Sequence, residues 1–380
     1  MRLEAPVPAK LREAIQAPLL ESPVHVLDAP ILQPLGLLLD LAGETLRERL
    51  FVVQTADGGP EQCLRPDFTI PALRAHIASG RKEGRYFYSG HAFRVAPPGS
   101  TRAEEFPQFG LEAFESGDSA RADGEMAALA WRSSCAGGRQ DLTLVLGDVG
   151  LFAIVVDALE LAPPLSARLK RAFSSPRRLR AQLDAAENGG GAVARGGDRL
   201  SHLLAQIPEP EALTVLEEIW ALAGIEPVGG RSAAEIVHRL GERTALARTG
   251  RLTAAQAGLF RAFLGIAGEP DRALEAVARL MGSASGQLSS AREQWARRVR
   301  TMIDAGVPPG RLWFSAAFGR AFGYYDGMVF EVRSADLGDE QPVAAGGRYD
   351  SLPARLGAIL PTGSVGCMVR PGRAWAGARP

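Results

Sequence analysis

The chain has 380 residues, 46% hydrophobic and 23% charged, an ordinary composition for a globular protein. Lysine plus arginine and aspartate plus glutamate each number 43, and this zero net charge disfavours a nucleic-acid partner. The three cysteines, Cys63, Cys135 and Cys367, form no CxxC pair or Cys/His cluster, which argues against a zinc site and a disulfide framework. No apolar run is long enough to span a membrane and no signal peptide is evident, so we expect a cytoplasmic protein without a membrane partner.

The N-terminal part alternates helices with strands. Apolar residues at helical spacing predict helices over 9–20 and 33–48. A third helix is expected from Pro66, which suits a first helical turn, to about Gly80. The alternating runs "RYFYSGHAFRVAP" and "EEFPQFGLEAFES" predict two antiparallel strands joined by a loop at 96–104. A helix at about 123–136 and a buried strand, "DLTLVLGD", follow.

The middle of the chain, 151–310, is predicted to be a helix-rich insertion. Its amphipathic helices are expected at 211–224, 231–248, 254–266, 270–281 and 287–305. The glycine run "NGGGAVARGGD" (188–198) lacks the Gly-Lys-Ser/Thr ending of a phosphate loop and is interpreted as a flexible connector.

Strand patterns return from Arg311, in "LWFSAAF", "GYYDGMVFEV" and "TGSVGCMV". We therefore predict an α+β fold in which 1–150 and 311–380 form one split domain. Strands from both ends share one mostly antiparallel sheet flanked by helices.

Polar residues in four stretches could line a pocket, although each has a simpler reading. Asp67 in "LRPDFT" could favour a helix dipole. Gln108 and Glu112 share one strand face, which could be solvated. Tyr324 and Tyr325, after Arg320, are expected on opposite faces, one in the core and one in the pocket. The "GGRYD" stretch could be only a tight turn.

Together, these groups suit a zwitterionic ligand. An amino acid needs acceptors for its ammonium and a cationic donor for its carboxylate. Burial of such a ligand is costly unless both its ammonium and its carboxylate are paired with protein groups.

The same four stretches resemble histidyl-tRNA synthetase and its paralogues, which have the class II aminoacyl-tRNA synthetase fold. "LRPDFT" is similar to the family's Leu-Arg-Pro-Glu-x-Thr, and "FRVAPPGSTRAEEFPQFGLE" to its second signature motif. "RAFGYYDGMVFE" resembles the histidine-specific segment, and "GGRYDSL" matches the following one closely. The resemblance covers about residues 10–150 and 311–370.

The resemblance implies a histidine pocket and a role for its residues. Arg320 would face the ligand carboxylate, while the acidic groups and tyrosines would receive the ammonium and the imidazole. Alternatively, Arg320 pairs with Asp67 or Glu112 merely to neutralise them. The implied histidine-binding residues are Asp67, which replaces the family's Glu, and Gln108, Glu112, Arg320, Tyr325 and Tyr349.

Departures from the family pattern affect the nucleotide site. Arg94 is kept, but Ala96 and Pro97 stand where the second motif has Glu and Arg. In the third motif, "VRPGRAW" keeps Arg373 without the family's glycine and glutamate. Activation of an amino acid requires charge neutralisation at the α-phosphate, so we interpret Arg94 and Arg373 as remnants of a degenerate site. The chain ends about ten residues later, so no anticodon-binding domain is expected.

A protein that keeps the histidine pocket but lacks the groups for amino-acid activation resembles the regulatory subunits of ATP phosphoribosyltransferase, a paralogous family. The resemblance implies a non-catalytic protein without cofactor or metal, which binds L-histidine for feedback inhibition. It also implies a homodimer core, with the apolar helix at 35–46 as candidate surface, and a hetero-octamer with the short-form catalytic subunit. The alternative is a truncated ATP-dependent histidine-activating enzyme without a tRNA-binding domain. A tRNA-binding module is disfavoured by the net charge.

Overall fold

The chain divides into two compact units, Met1–Ile154 with Phe263–Pro380, and Val155–Ala262. The computed structural model describes residues 2–377 apart from 5, 55, 57, 101, 188–203, 205–206, 224–232, 239–250, 283–285, 321 and 359–362. Within the described residues, no helix is both long and apolar enough to cross a membrane.

The first unit is built on a sheet of nine strands among the described residues, and strands from both ends of the chain alternate within it. All neighbouring pairs are antiparallel except His25–Leu27 with Gly84–Phe93 and Leu142–Asp148 with Leu312–Ser315, which are parallel. In spatial order the strands are β1 (His25–Leu27), β5 (Gly84–Phe93), β6 (Glu105–Glu115), β12 (Gly363–Val369), β11 (Ala344–Arg348), β10 (Met328–Ser334), β7 (Leu142–Asp148), β9 (Leu312–Ser315) and β8 (Ala267–Gly268). The predicted shared, mostly antiparallel sheet is confirmed.

A second, small sheet lies near the N-terminus and consists of β2 (Leu32–Pro34), β4 (Gln62–Leu64) and β3 (Val52–Val53). The α-helices are α1 (Ala9–Gln16), α2 (Leu35–Ala42), α3 (Thr69–Ser79), α4 (Ser119–Cys135), α5 (Val149–Ala158), α6 (Pro163–Ala172), α7 (Pro176–Glu187), α8 (Glu209–Ala223), α9 (Ala254–Leu264), α10 (Pro270–Met281), α11 (Gly286–Asp304), α12 (Leu352–Arg355) and α13 (Pro371–Ala374). Short 3₁₀ helices occupy Ala17–Leu20, Glu44–Arg49 and Pro309–Arg311.

One face of the large sheet is packed by α4 and α11, which are joined through buried charges. Asp123 on α4 accepts hydrogen bonds from Arg298 Nε at 2.8 Å and from Arg348 Nε at 2.7 Å. Trp295 on α11 donates to Asp148 at 2.8 Å. These contacts place α11 in the first unit, although the sequence predicted an insertion reaching residue 310.

The opposite face carries a row of glycines beside a carboxylate. Glu112 pairs across the sheet with Gly366, which in turn pairs with Gly347. A Cβ at Gly366 would lie 1.6 Å from Glu112 Oε2, so a larger residue would displace the carboxylate. The glycines therefore make the space in which Glu112 lies over the sheet.

Helix starts differ from the predictions because side chains cap or interrupt them. The helix expected from Pro66 begins at Thr69, since the Pro66 carbonyl accepts a hydrogen bond from Arg94 Nε instead. Asp67 therefore lies just before the helix rather than in its first turn, still at the end where a carboxylate favours the helix dipole. The helix expected at 123 begins at Ser119, because the Asp118 side chain accepts from the backbone N–H groups of residues 120 and 121.

The predicted insertion, 151–310, is wider than the second unit, which ends at Ala262. The helices predicted at 211–224, 254–266, 270–281 and 287–305 are confirmed within a few residues. The glycine connector at 188–198 and much of the helix predicted over 231–248 lie outside the described residues.

Candidate ligand-binding site

Glu112, on β6, is a buried carboxylate held by two hydroxyl groups. Thr69 Oγ1 donates to its Oε1 at 2.8 Å, and the Tyr349 hydroxyl donates to its Oε2. Burial raises the pKa of Glu112 to about 8, although both hydrogen bonds act to lower it. Near neutral pH, this group therefore exists mainly as the neutral acid until a cation approaches it.

Asp67 lies just before α3, with 4% of its surface exposed. The Tyr324 hydroxyl donates to its Oδ2 at 3.1 Å, whereas its Oδ1 has no hydrogen-bond partner among the described residues. Burial raises the pKa of Asp67 against the opposing charge of Arg94 and the hydrogen bond from Tyr324. One oxygen of this carboxyl is thus available to a donor.

Gln108 offers a second free acceptor on the same strand face as Glu112. Its Nε2 donates to the Tyr88 hydroxyl at 3.4 Å, while its Oε1 is buried without a partner among the described residues. A buried unsatisfied acceptor costs about 1–3 kcal/mol. A ligand that donates to both Asp67 Oδ1 and Gln108 Oε1 would recover that free energy.

Three tyrosine rings pack together beside these groups. The ring centroids of Tyr324 and Tyr325 are 4.7 Å apart, and Tyr349 lies 5.8 Å from the first and 6.3 Å from the second. The prediction that Tyr324 and Tyr325 point to opposite faces is wrong. Strand β10 begins only at Met328, so the alternation of strand side chains does not apply to this pair. Burial raises the pKa of Tyr325 to about 12.

Arg320 is almost fully buried and already has one carboxylate partner. Its Nη1 donates to Glu331 Oε1 at 2.5 Å, and Glu331 Oε2 accepts from Arg333 Nε at 2.9 Å. The alternative prediction, in which Arg320 pairs with Asp67 or Glu112 to neutralise them, is not found in the structure. Arg320 Nε is buried without a partner among the described residues, which leaves a donor for an anion.

Arg94 and Arg373, which the sequence predicts to be remnants of a nucleotide site, both donate hydrogen bonds to backbone carbonyls. Arg94 Nε donates to Pro66 at 2.8 Å, and Arg373 Nη1 donates to Pro342 at 3.0 Å. Burial and the neighbouring arginines lower the pKa of Arg94 to about 10 and that of Arg373 to about 9. The third-motif stretch also contains Arg370, whose guanidinium carbon lies 3.4 Å from the Phe106 ring centroid.

The structure brings the six candidate histidine-binding residues to one face of the sheet, together with three residues outside that set. Tyr324 and Thr69 hold the two carboxyl groups, and Glu331 holds Arg320. Thr69 is part of the quoted "LRPDFT" stretch and could have been included. No cluster of metal-ligating side chains is found in the described part of the chain.

Comparisons with known proteins agree with this architecture. A family profile described as histidyl-tRNA synthetase matches residues 25–226 and 212–367. The ATP phosphoribosyltransferase regulatory subunit of Mesorhizobium japonicum is 36% identical over 351 residues, which cover 91% of each chain. The protein of that name from Brucella anthropi is 34% identical and covers 88% of each chain.

Solved structures show the same fold. An ATP phosphoribosyltransferase regulatory subunit/histidyl-tRNA synthetase from Bacillus halodurans superposes with a TM-score of 0.63 at 19% identity, covering 98% of this chain and 79% of that one. Histidyl-tRNA synthetase from Nostoc gives a TM-score of 0.60 at 15% identity, covering 96% and 69%. The large sheet with flanking helices is therefore the class II aminoacyl-tRNA synthetase-like α+β fold.

Proposed function

Because the chain belongs to the histidyl-tRNA synthetase-like family of ATP phosphoribosyltransferase regulatory subunits, we propose that it is the non-catalytic regulatory subunit of that enzyme. In this role it serves the first step of L-histidine biosynthesis in the cytoplasm. L-Histidine is the ligand of the pocket around Glu112 and Asp67, and its binding inhibits the complex.

The observation that carries this proposal is the pattern of unsatisfied groups in the pocket. Asp67 Oδ1 and Gln108 Oε1 are acceptors without partners among the described residues, and Arg320 Nε is a donor without one. A free amino acid presents the complementary groups, an ammonium with three donors and a carboxylate with two acceptor oxygens. Acceptors and a guanidinium on one sheet face therefore suit a zwitterion.

The pocket also offers groups that are complementary to the imidazole side chain of histidine. An imidazole has two ring nitrogens that donate or accept, and a flat apolar body. Glu112 and the hydroxyl of Tyr349 provide polar partners, while the tyrosine rings cover the flat faces. Glu112 can donate when neutral and accept when ionised, so it suits either nitrogen of the ring.

The proposed partner is the short-form catalytic subunit of ATP phosphoribosyltransferase, in a hetero-octamer built on homodimers of this chain. Inhibition requires that histidine binds one state of the complex more tightly than another. A pocket that binds histidine without converting it can supply that difference, because no reaction removes the ligand.

The direct test is co-expression with a short-form catalytic subunit, followed by purification and assay. We expect co-purification, activity that depends on this chain, and inhibition by L-histidine but not by D-histidine. If the two chains do not associate, the proposed partner is wrong. If an active complex ignores histidine at millimolar concentration, the feedback role is wrong.

Two features argue against the alternative function, an ATP-dependent histidine-activating enzyme. Ala96 and Pro97 present no charge beside Arg94, and Gly372 places no carboxylate before Arg373. The cations and carboxylate-held Mg²⁺ needed at an α-phosphate are thus incompletely provided.

A further inference from the structure

The corner between α6 and α7, in the second unit, carries a concentration of positive charge. Between Glu160 and Asp184 the sequence has six basic residues and no acidic one, although the whole chain has zero net charge. Four of the six are exposed, and we call these four the arginine corner. Its members are Arg171 on α6 and Arg177, Arg178 and Arg180 on α7.

The connection between the two helices brings these arginines to one place. Residues 173–175 join α6 to α7 in a tight turn, in which the Ser175 N–H donates to the Ala172 carbonyl at 2.9 Å. Arg171 lies in the last turn of α6, while Arg177 and Arg178 lie in the first turn of α7. The buried positions of both helices are taken by leucine and alanine. The charged side chains therefore share one exposed end of the helix pair.

None of the four guanidinium groups has a carboxylate partner among the described residues. Nearby carboxylates are used by other cations instead. Lys170 donates to both oxygens of Asp157, at 2.6 and 2.7 Å, and Arg261 donates to both oxygens of Glu187. The positive charge of the arginine corner is thus not neutralised within the described part of the second unit.

The start of α7 is an unfavourable place for cations. The N-terminus of a helix carries partial positive charge, which favours acidic side chains there and disfavours basic ones. The first turn of α7 nevertheless contains Arg177 and Arg178 and no acidic residue. Arg177 and Arg180 are three residues apart on the helix, so they also repel one another. Such a local conflict is expected where a binding partner supplies the missing negative charge.

The borders of the arginine corner favour an acidic protein surface over a nucleic acid. A nucleic-acid strand presents a phosphate about every 3.4 Å and requires positive charge along its path. Along α7 the positive stretch ends at Arg180, and Asp184 adds an exposed negative charge one turn further on. An acidic patch on a folded protein can match a compact group of cations without meeting that carboxylate.

We propose that the arginine corner is a docking surface for an acidic patch on the catalytic subunit, so the inference rests on the proposed function. Complementary charges across an interface raise the rate of association and select the partner. Salt screens exposed charges. Assembly through this surface therefore weakens as the salt concentration rises.

The test is the affinity between the full chain and a short-form catalytic subunit, measured by biolayer interferometry at low and at high salt. Arg177→Glu/Arg178→Glu reverses two charges of the arginine corner. We expect it to bind at least about tenfold more weakly at low salt, and its affinity to depend less on salt. Arg292→Glu/Arg300→Glu, at two exposed arginines of α11, makes the same change of net charge and is the matched control. Its affinity should stay close to that of the unmodified chain.

Thermal unfolding separates docking from a structural role of the arginines. Glutamate at a helix N-terminus interacts favourably with the helix dipole. Arg177→Glu/Arg178→Glu should therefore unfold at the same temperature as the unmodified chain or at a higher one. Weaker binding by a variant of undiminished stability supports docking. A lower melting temperature would show that these arginines stabilise α7, and it would overturn the proposal.

The remaining outcomes distinguish this inference from the proposed function. If the unmodified chain does not bind the catalytic subunit, the proposed function is wrong, and the docking surface with it. If the unmodified chain binds and Arg177→Glu/Arg178→Glu binds equally well, only the docking surface is wrong. A fluorescein-labelled RNA hairpin is the last probe, and we expect no binding at physiological salt. RNA binding that Arg177→Glu/Arg178→Glu abolishes would assign the arginine corner to a nucleic acid and overturn the proposal.

Discussion

The hydroxyl of Tyr324 donates a hydrogen bond to Asp67 Oδ2 at 3.1 Å, across 257 residues of sequence. This contact joins the N-terminal and C-terminal parts of the split domain inside the candidate pocket. It also fixes which oxygen of Asp67 is left free, because Oδ1 has no partner among the described residues.

The first prediction is that Tyr324→Phe lowers the affinity for histidine. Loss of the hydroxyl removes the hydrogen bond to Asp67 Oδ2 and raises the pKa of the carboxyl further, so it is ionised less often. We expect affinity to fall about three- to thirtyfold in calorimetry. Tyr86→Phe is the matched control, since its hydroxyl contacts His76 at 3.2 Å outside the pocket. Equal losses in the two variants would contradict a specific role of Tyr324.

The second prediction concerns Arg320, as the group that binds the ligand carboxylate. Charge-assisted hydrogen bonds contribute roughly 1.5–3 kcal/mol, so Arg320→Ala should weaken histidine inhibition of the complex about ten- to a hundredfold. Activity without histidine should persist. Because the variant leaves Glu331 with Arg333 as its remaining partner, the double variant Arg320→Ala/Glu331→Ala controls for an unpaired buried carboxylate. If the melting temperature and the inhibition constant are both unchanged, this pocket is not the feedback site.

Sequence alone predicts the parts of the site that lie on regular elements. Gln108 and Glu112 share a strand face because strand side chains alternate, and β6 has that form. The position of Tyr324 cannot be predicted from strand alternation, because this residue lies in an irregular turn before β10. The partner of Arg320 was also missed, because Glu331 becomes its neighbour only when β10 is placed in the sheet.

The third-motif stretch shows a different limit of prediction from sequence. Arg370 and Arg373 stand three residues apart in a stretch that departs from the family pattern, and the sequence offered Arg373 as the remnant. In the structure, Arg370 stacks on Phe106, while Arg373 binds a backbone carbonyl. Arg373 as the remnant therefore stays a prediction, because the boundaries of elements are the least certain part of a sequence-based reading.

The third prediction is that the isolated protein has no histidine-dependent ATP–pyrophosphate exchange. Ala96 and Pro97 supply no charge where activation needs it, and Arg94 Nε is used by the Pro66 carbonyl. We expect radiolabel exchange at the level of a control without protein. Exchange above that level, lost in Arg94→Ala, would favour the activating enzyme instead.

The fourth prediction revises the dimer surface. The apolar helix at 35–46 is part of the core, with Leu35, Leu38 and Leu41 buried. Exposed apolar side chains lie just before it, where Val26 is 77% exposed. We expect a dimer in sedimentation that Val26→Asp weakens at least tenfold, because a charge in an apolar interface loses its hydration. The control is Leu222→Asp in the second unit, at a side chain that is 89% exposed. A monomeric parent protein would contradict the prediction.

The fifth prediction is a pH dependence of stability that originates at Glu112. Burial raises the pKa of this group in the folded protein from the ordinary value of 4.5 to about 8. The folded state therefore holds a proton that the unfolded state has lost between these two values. The contribution of Glu112 to stability is complete below about pH 4.5 and declines as pH rises to about 8. Each pH unit in this window reduces the free energy of unfolding by up to about 1.4 kcal/mol.

Chemical unfolding at intervals from pH 5 to pH 8 measures this contribution as a difference between variants. Glu112→Gln keeps the size and hydrogen-bonding capacity of the neutral acid, so its stability should fall less over the range than that of the unmodified protein. Glu115→Gln, on the same strand but partly exposed, is the control and should follow the unmodified protein. Histidine should reduce the decline as well, because a bound cation favours the ionised carboxylate and lowers its pKa. Parallel stability curves for Glu112→Gln and the unmodified protein would show that Glu112 is already ionised at pH 5. The description of Glu112 as a neutral acid in the empty pocket would then be wrong.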